Sequence, residues 1–130
     1  MEPCWSTPGR VALAERFGLQ YSDLSQDWEW EVADASRFDE FLDVYSTVDI
    51  PDDQRASLME ILIQCVEDTD DSHRFASCWS AIEPLLLERA AFHRATIEYW
   101  AMLDNIFDAD PDVSPRVSPA MRRVWFAASS

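Results

Sequence analysis

The stretch CVEDTDDSHRF, residues 65–75, places one thiol, four carboxylates and one imidazole within nine positions. Such an inventory suits a metal site or an acid–base cluster, and the spacing has to decide between them. An EF-hand loop needs oxygen ligands at positions 1, 3 and 5, glycine at 6 and a bidentate glutamate at 12. Begun at Asp68, the pattern offers Asp70 and Ser72, then fails with His73 at position 6 and Trp79 at position 12. Cys65, Cys78 and His73 supply no ligand pair at a zinc spacing. The stretch therefore reads as a helix end, a hydrophilic connector and a helix start, with Asp70, Asp71 or Ser72 capping the second helix and lying at its positive end. No metal and no cofactor is expected.

His93 is the other residue whose type suggests catalysis. Glu98 follows it by five residues, about 500° around a helix, so the two side chains do not share a face, whereas Arg94 and Glu98 at i, i+4 do. The chain contains no GxSxG, no HExxH, no glycine-rich phosphate loop and no Cys–His pair of recognised spacing. Any enzyme built on it would run on carboxylates, which requires a concave pocket holding two acids with separated pKa values. No catalytic residue is expected.

Those acids are concentrated. The 130 residues carry 25 Asp and Glu against 10 basic residues, all of them Arg, for a net charge of −15. Residues 23–71 hold 16 acids and two arginines, Arg37 and Arg55, whereas the first 22 residues are neutral overall. Like charge packed at this density repels itself and favours a cationic partner, and it argues against direct binding of DNA or RNA. Simple solubility is the alternative account of the same excess. The opening MEPCWSTPGR has no basic segment leading into an apolar run, and no apolar stretch approaches the ~20 residues of a membrane span. Three cysteines, Cys4, Cys65 and Cys78, form no CxxC pair and leave one over, which fits a reducing compartment. A cytoplasmic protein with no membrane contact is expected.

The elements that must position these residues are mostly helical. TPGRVALAERFG has Thr7 as a candidate N-cap, Pro8 at the first helical position and Gly18 as a left-handed cap, giving a helix over about 8–17. In DWEWEV, Trp28, Trp30 and Val32 alternate with Asp27, Glu29 and Glu31 at period two, which predicts a strand over Trp28–Val32. Its pairing partner would be residues 19–21, residues 123–126 or a second molecule. SRFDEFLDVY sets Phe38, Phe41, Leu42 and Tyr45 on one helical stripe and Arg37, Asp39, Glu40 and Asp43 on the other. Pro51, Asp52 and Asp53 open a helix whose second half, Leu58 to Val66, is apolar around most of its circumference and predicts the centre of the core. A further helix carries Phe75, Cys78, Trp79, Ile82, Leu85 and Leu86, with a kink or restart expected at Pro84. Another carries Phe92, Thr96, Tyr99, Trp100 and Leu103. Residues 104–118 read as an irregular connector, after which Ser118 and Pro119 start a last helical turn. The prediction is one mainly α domain over residues 1–130, of about five helices with a minor strand or hairpin.

Six tryptophans bear on function as well as on packing. Trp79, Trp100 and Trp125 fit core stripes, while Trp28 and Trp30, ringed by acids, suit either the core or an interface.

In the order of its elements, RFDEFLDVY, QRASLMEILIQC, WSAIEPLLL, HRATIEYW and SPAMRRVW, the chain resembles small acidic bacterial proteins of the toxin-immunity kind over about residues 28–125. The resemblance lies in packing patterns and assigns no functional residue. It implies a cytoplasmic inhibitor that binds and blocks a cognate toxin. A nuclease toxin must present a basic groove to phosphates, and an acidic surface can compete for it or for a neighbouring basic patch. The expected contact residues are Asp39, Glu40, Asp43, Asp52, Asp53, Asp68, Asp70 and Asp71, with Trp28 and Trp30; the oligomeric state, monomer or homodimer, is open. Two other classes are a nucleic-acid mimic that disables a defence or DNA-binding complex, and a small carboxylate-based enzyme.

Overall fold

The computed structural model describes residues 6–103 and 115–129, which gather into two compact units, the described residues up to Thr69 and those from Asp70 onward. Among the described residues there are seven α-helices and one short 3₁₀ turn, and no strand. The mainly α expectation holds at that level, with seven helices rather than about five.

In the first unit the elements are α1 (Thr7–Phe17), α2 (Trp28–Val32), a 3₁₀ turn (Ala35–Arg37), α3 (Phe38–Thr47) and α4 (Asp52–Glu67). Helices α1, α2 and α3 each pack on α4. Its residues Leu58, Met59, Ile61, Leu62, Ile63, Cys65 and Val66 are all buried, as their near-complete apolar circumference requires. The N-cap of α1 is Ser6, one residue earlier than predicted: its hydroxyl accepts from Gly9 N at 3.1 Å and donates to the Asp53 carboxylate at 2.5 Å. Gly18 closes the helix at φ 68°, a left-handed conformation that a Cβ would strain.

The predicted strand is a helix. Alternation of Trp28, Glu29, Trp30 and Glu31 assumes that both glutamates face water, but Glu29 is buried at 5% exposure beside Trp28 at 2%. A strand here would leave its backbone groups without a partner, whereas one and a half turns of helix satisfy them locally: Trp30 N and Glu31 N both donate to Asp27 O. The charge of Glu29 is met from α1. Arg10 occupies the apolar stripe Arg10, Leu13, Ala14, Phe17 of α1, and its guanidinium clasps Glu29 in the interior.

The second unit contains α5 (Ser72–Glu88), α6 (Arg94–Ala101) and α7 (Ser118–Ala128). Helix α5 continues through Pro84 as one element, so no restart occurs there. The predicted last turn is a full helix of 11 residues. It is stitched to the C-terminal end of α6, where Ser118 Oγ donates to Trp100 O and Arg122 Nε to Ala101 O, each at 2.7 Å, satisfying carbonyls that the helix end leaves open. Cys78, Trp79, Ile82, Leu86, Ile97, Trp100, Met121 and Val124 are buried in this unit. Of the predicted irregular connector, residues 104–114 lie outside the described residues.

Candidate functional site

The residues around 65–75 form the joint that the spacing predicts. Helix α4 ends at Glu67, α5 begins at Ser72, and the Asp71 carboxylate caps α5 by accepting from Arg74 N at 2.7 Å. Gln64 Nε2 donates to Asp68 Oδ1 at 2.8 Å across the last turn of α4. Cys65 and Cys78 are free thiols, both buried. Among the described residues no three His, Cys, Asp or Glu side chains converge as metal ligands would. His93 is 2% exposed and lies edge-on to the Phe92 ring, with centroids 4.8 Å apart.

Twelve of the 16 acids in residues 23–71 are exposed, three are half-buried and one, Glu29, is in the core. The two arginines of that block do little to offset them. Arg37 pairs with Glu40 at 2.8 Å, donates to Phe17 O at the end of α1, and lies over the Phe41 ring at 5.4 Å. Arg55 donates to Tyr45 O and stacks over the Tyr45 ring at 4.9 Å. Residues 6–69 carry 15 acids against four arginines, a net −11 within one unit.

The predicted contact residues divide by role. Asp39, Glu40 and Asp43 lie on the exposed side of α3, opposite the buried Phe38, Phe41 and Tyr45. Asp39 and Asp43 are one turn apart, about 6 Å along the axis, well inside a Debye length, and so act on a cation together. The Arg37 guanidinium holds the Glu40 carboxyl below its ordinary value and is itself pushed up by Glu40; the Ser36 hydroxyl and amide likewise lower Asp34. Asp52 is exposed at the start of α4, whereas Asp53 is turned inward by Ser6 and serves the α1–α4 contact. Asp68 is exposed about 24 Å along α4 from Asp52, beyond effective coupling at physiological ionic strength. Asp70 is exposed, with no side-chain hydrogen bond or ion pair among the described residues; Asp71 is exposed and engaged as a cap.

The two tryptophans are structural in different degrees. Trp28, expected as a contact residue, lies in the core, its indole donating to Gln20 O at 2.7 Å. Trp30 is half-buried, and its indole donates to Glu60 Oε2 at 3.0 Å.

Sequence reasoning did not anticipate the buried cluster behind these surfaces. Arg10 Nη2 and Nε meet Glu29 Oε1 and Oε2 at 2.6 and 2.8 Å, and Ser57 Oγ donates to Glu29 Oε2 at 2.7 Å. The remaining guanidinium donors grip the loop that precedes α2, at Ser25 O (3.2 Å) and Gln26 O (3.0 Å). Its signal was an arginine spaced with Leu13, Ala14 and Phe17 on the dry side of α1. No protein-family model matches the chain, and no curated protein or solved structure shows significant similarity to it.

Proposed function

We propose that the protein is an inhibitor of the immunity-protein kind, binding and occluding a basic partner such as a nuclease toxin through its acidic surface. The observation that carries this reading is the exposure of twelve carboxylates from residues 23–71 against two arginines in that block, of which Arg37 pairs with Glu40 and Arg55 is engaged at Tyr45. A field of that sign speeds encounter with a cation by about 10–10³-fold and discriminates against acidic competitors. Helix α3 is the best-supported centre, because Asp39, Glu40 and Asp43 project from one rigid side backed by buried aromatics. The occlusion mechanism needs no chemistry: carboxylates occupy the basic groove and exclude its phosphate substrate.

Affinity capture from the native host, in low and in high salt, tests the proposal. One basic protein retained in low salt, released as salt rises, and inhibited by the purified chain is the expected result. Inhibition of several unrelated DNA-binding proteins would instead support nucleic-acid mimicry. Recovery of only neutral or acidic proteins, indifferent to salt, would overturn electrostatic recognition.

A further inference from the structure

The most exposed large apolar side chain among the described residues is Leu24, at 91%, and it sits on the rim of an open cavity of about 450 Å³. Tyr21, Trp28 and Val32 line the cavity together with Ser25 and Glu31. The ring of Tyr21 meets Trp28 edge-to-face at 6.0 Å.

The loop that carries Leu24 is held from beneath. Arg10 fixes Ser25 O and Gln26 O, the Trp28 indole fixes Gln20 O, Ser25 N donates to Ser22 O, and the Ser25 hydroxyl donates to Glu31. A buried ion pair and a buried indole thus hold in place a loop whose tip is a bare leucine. From Gly18 to Ser36 every charged residue is acidic, and Asp23, Asp27, Glu31 and Asp34 are all exposed.

The geometry points to this groove as the anchor of the interface: it takes one aromatic or aliphatic side chain of a partner segment whose flanking residues are Arg or Lys. The apolar side chain enters between Leu24, Tyr21 and Val32, and the flanking cations meet Asp23, Asp27 and Glu31. Charge complementarity selects this occupant, since a second copy of this chain would bring −15 against the same acidic rim. The assignment rests on the reading of the protein as a binder of basic partners and names the chemistry that the partner must present.

Two capped pentapeptides, Arg-Lys-Phe-Lys-Arg and Arg-Lys-Ser-Lys-Arg, test it by fluorescence anisotropy on the full chain. The phenylalanine peptide is expected to bind at least tenfold more tightly. Leu24→Ser should erase that preference while leaving the affinity for the serine peptide and the melting temperature unchanged, and Asp23→Asn with Asp27→Asn should weaken both peptides alike. In ¹H–¹⁵N spectra the phenylalanine peptide should shift the Trp28 indole and the amides of residues 20–27. Equal, salt-sensitive binding of the two peptides would overturn the groove and leave the acidic-surface reading standing. Failure of both to bind in low salt would overturn the two together.

Discussion

Arg10 and Glu29, 19 residues apart in sequence, meet as a buried two-pronged ion pair with side-chain exposures of 5% and 6%. Such a pair is costly to half-remove, because the surviving charge stays in the interior without its counter-ion. It links α1 to α2, takes a third bond from Ser57 on α4, and fixes the loop that precedes α2. One polar cluster therefore sets the arrangement of three helices and the display of Leu24.

Breaking that pair from one side should be severe. Glu29→Met is expected to cost about 3–5 kcal/mol in urea unfolding, and Arg10→Met a similar amount. The double variant Arg10→Met, Glu29→Met should recover most of either loss, since no charge is left stranded. Amide exchange at residues 22–27 should accelerate in all three, because the loop loses its grip from Arg10. Additive losses in the double variant would show that the two residues do not act as a pair.

The two glycines make opposite demands. At Gly18 an added Cβ meets nothing within 4 Å, but φ is +68°, so Gly18→Ala should cost about 1 kcal/mol through backbone strain alone. At Gly9 the backbone is ordinary helix, and an added Cβ would stand 3.0 Å from the Asp53 carboxylate and 3.1 Å from its backbone carbonyl carbon. Gly9→Ala should therefore cost about 1–3 kcal/mol by crowding, even though alanine is the better helix former. Thermal melts of the two variants, alone and with Asp53→Ala, separate the causes: removing the carboxylate should relieve part of the Gly9→Ala penalty and none of the Gly18→Ala penalty.

These positions also show what could be read in advance. The apolar circumference of α4 and the stripe of α3 follow from spacing alone, since burial there depends on residues within one helix. Gly18 was legible for the same reason, a local backbone demand met by the one residue without a Cβ. Glu29 was not, because its burial depends on Arg10 arriving from another helix, and a period-two pattern assigns it to water. Among the acids, exposure is the default for a carboxylate and was predictable, but the turning of Asp53 toward Ser6 is a tertiary contact with no local signature. Trp28 was open between core and interface for the same reason: indole and carboxylate alternate identically whichever face is dry.

Acid should reveal the Arg37–Glu40 pair. Glu40 is held below its ordinary value of 4.5 by the Arg37 guanidinium, and Asp34 below 3.8 by Ser36. A carboxyl depressed in the folded state adds stability that is fully present above its unfolded value and is lost as pH falls through the folded one. The difference in stability between the native chain and Glu40→Gln should accordingly be constant near neutrality and shrink below about pH 4.5. A carbon-detected NMR titration of Glu40 should find its midpoint below that of an unstructured glutamate; a midpoint above it would contradict the pairing.

The acidic surface itself should weaken the fold that displays it. Asp39 and Asp43 stand at i, i+4 on α3, a like-charge arrangement that costs roughly 0.2–0.5 kcal/mol, within a unit already at net −11. Asp43→Asn is thus expected to stabilise the protein by a few tenths of a kcal/mol at low ionic strength. The gain should fade at about 1 M salt, where the Debye length is ~3 Å and the repulsion is screened in the native chain as well. The same substitution should slow association with a cationic peptide in low salt, so stability and binding move in opposite directions at one residue. If Asp43→Asn left both unchanged, the charge at this position would be neither strained nor functional, and the centre of the acidic interface would have to be sought away from α3.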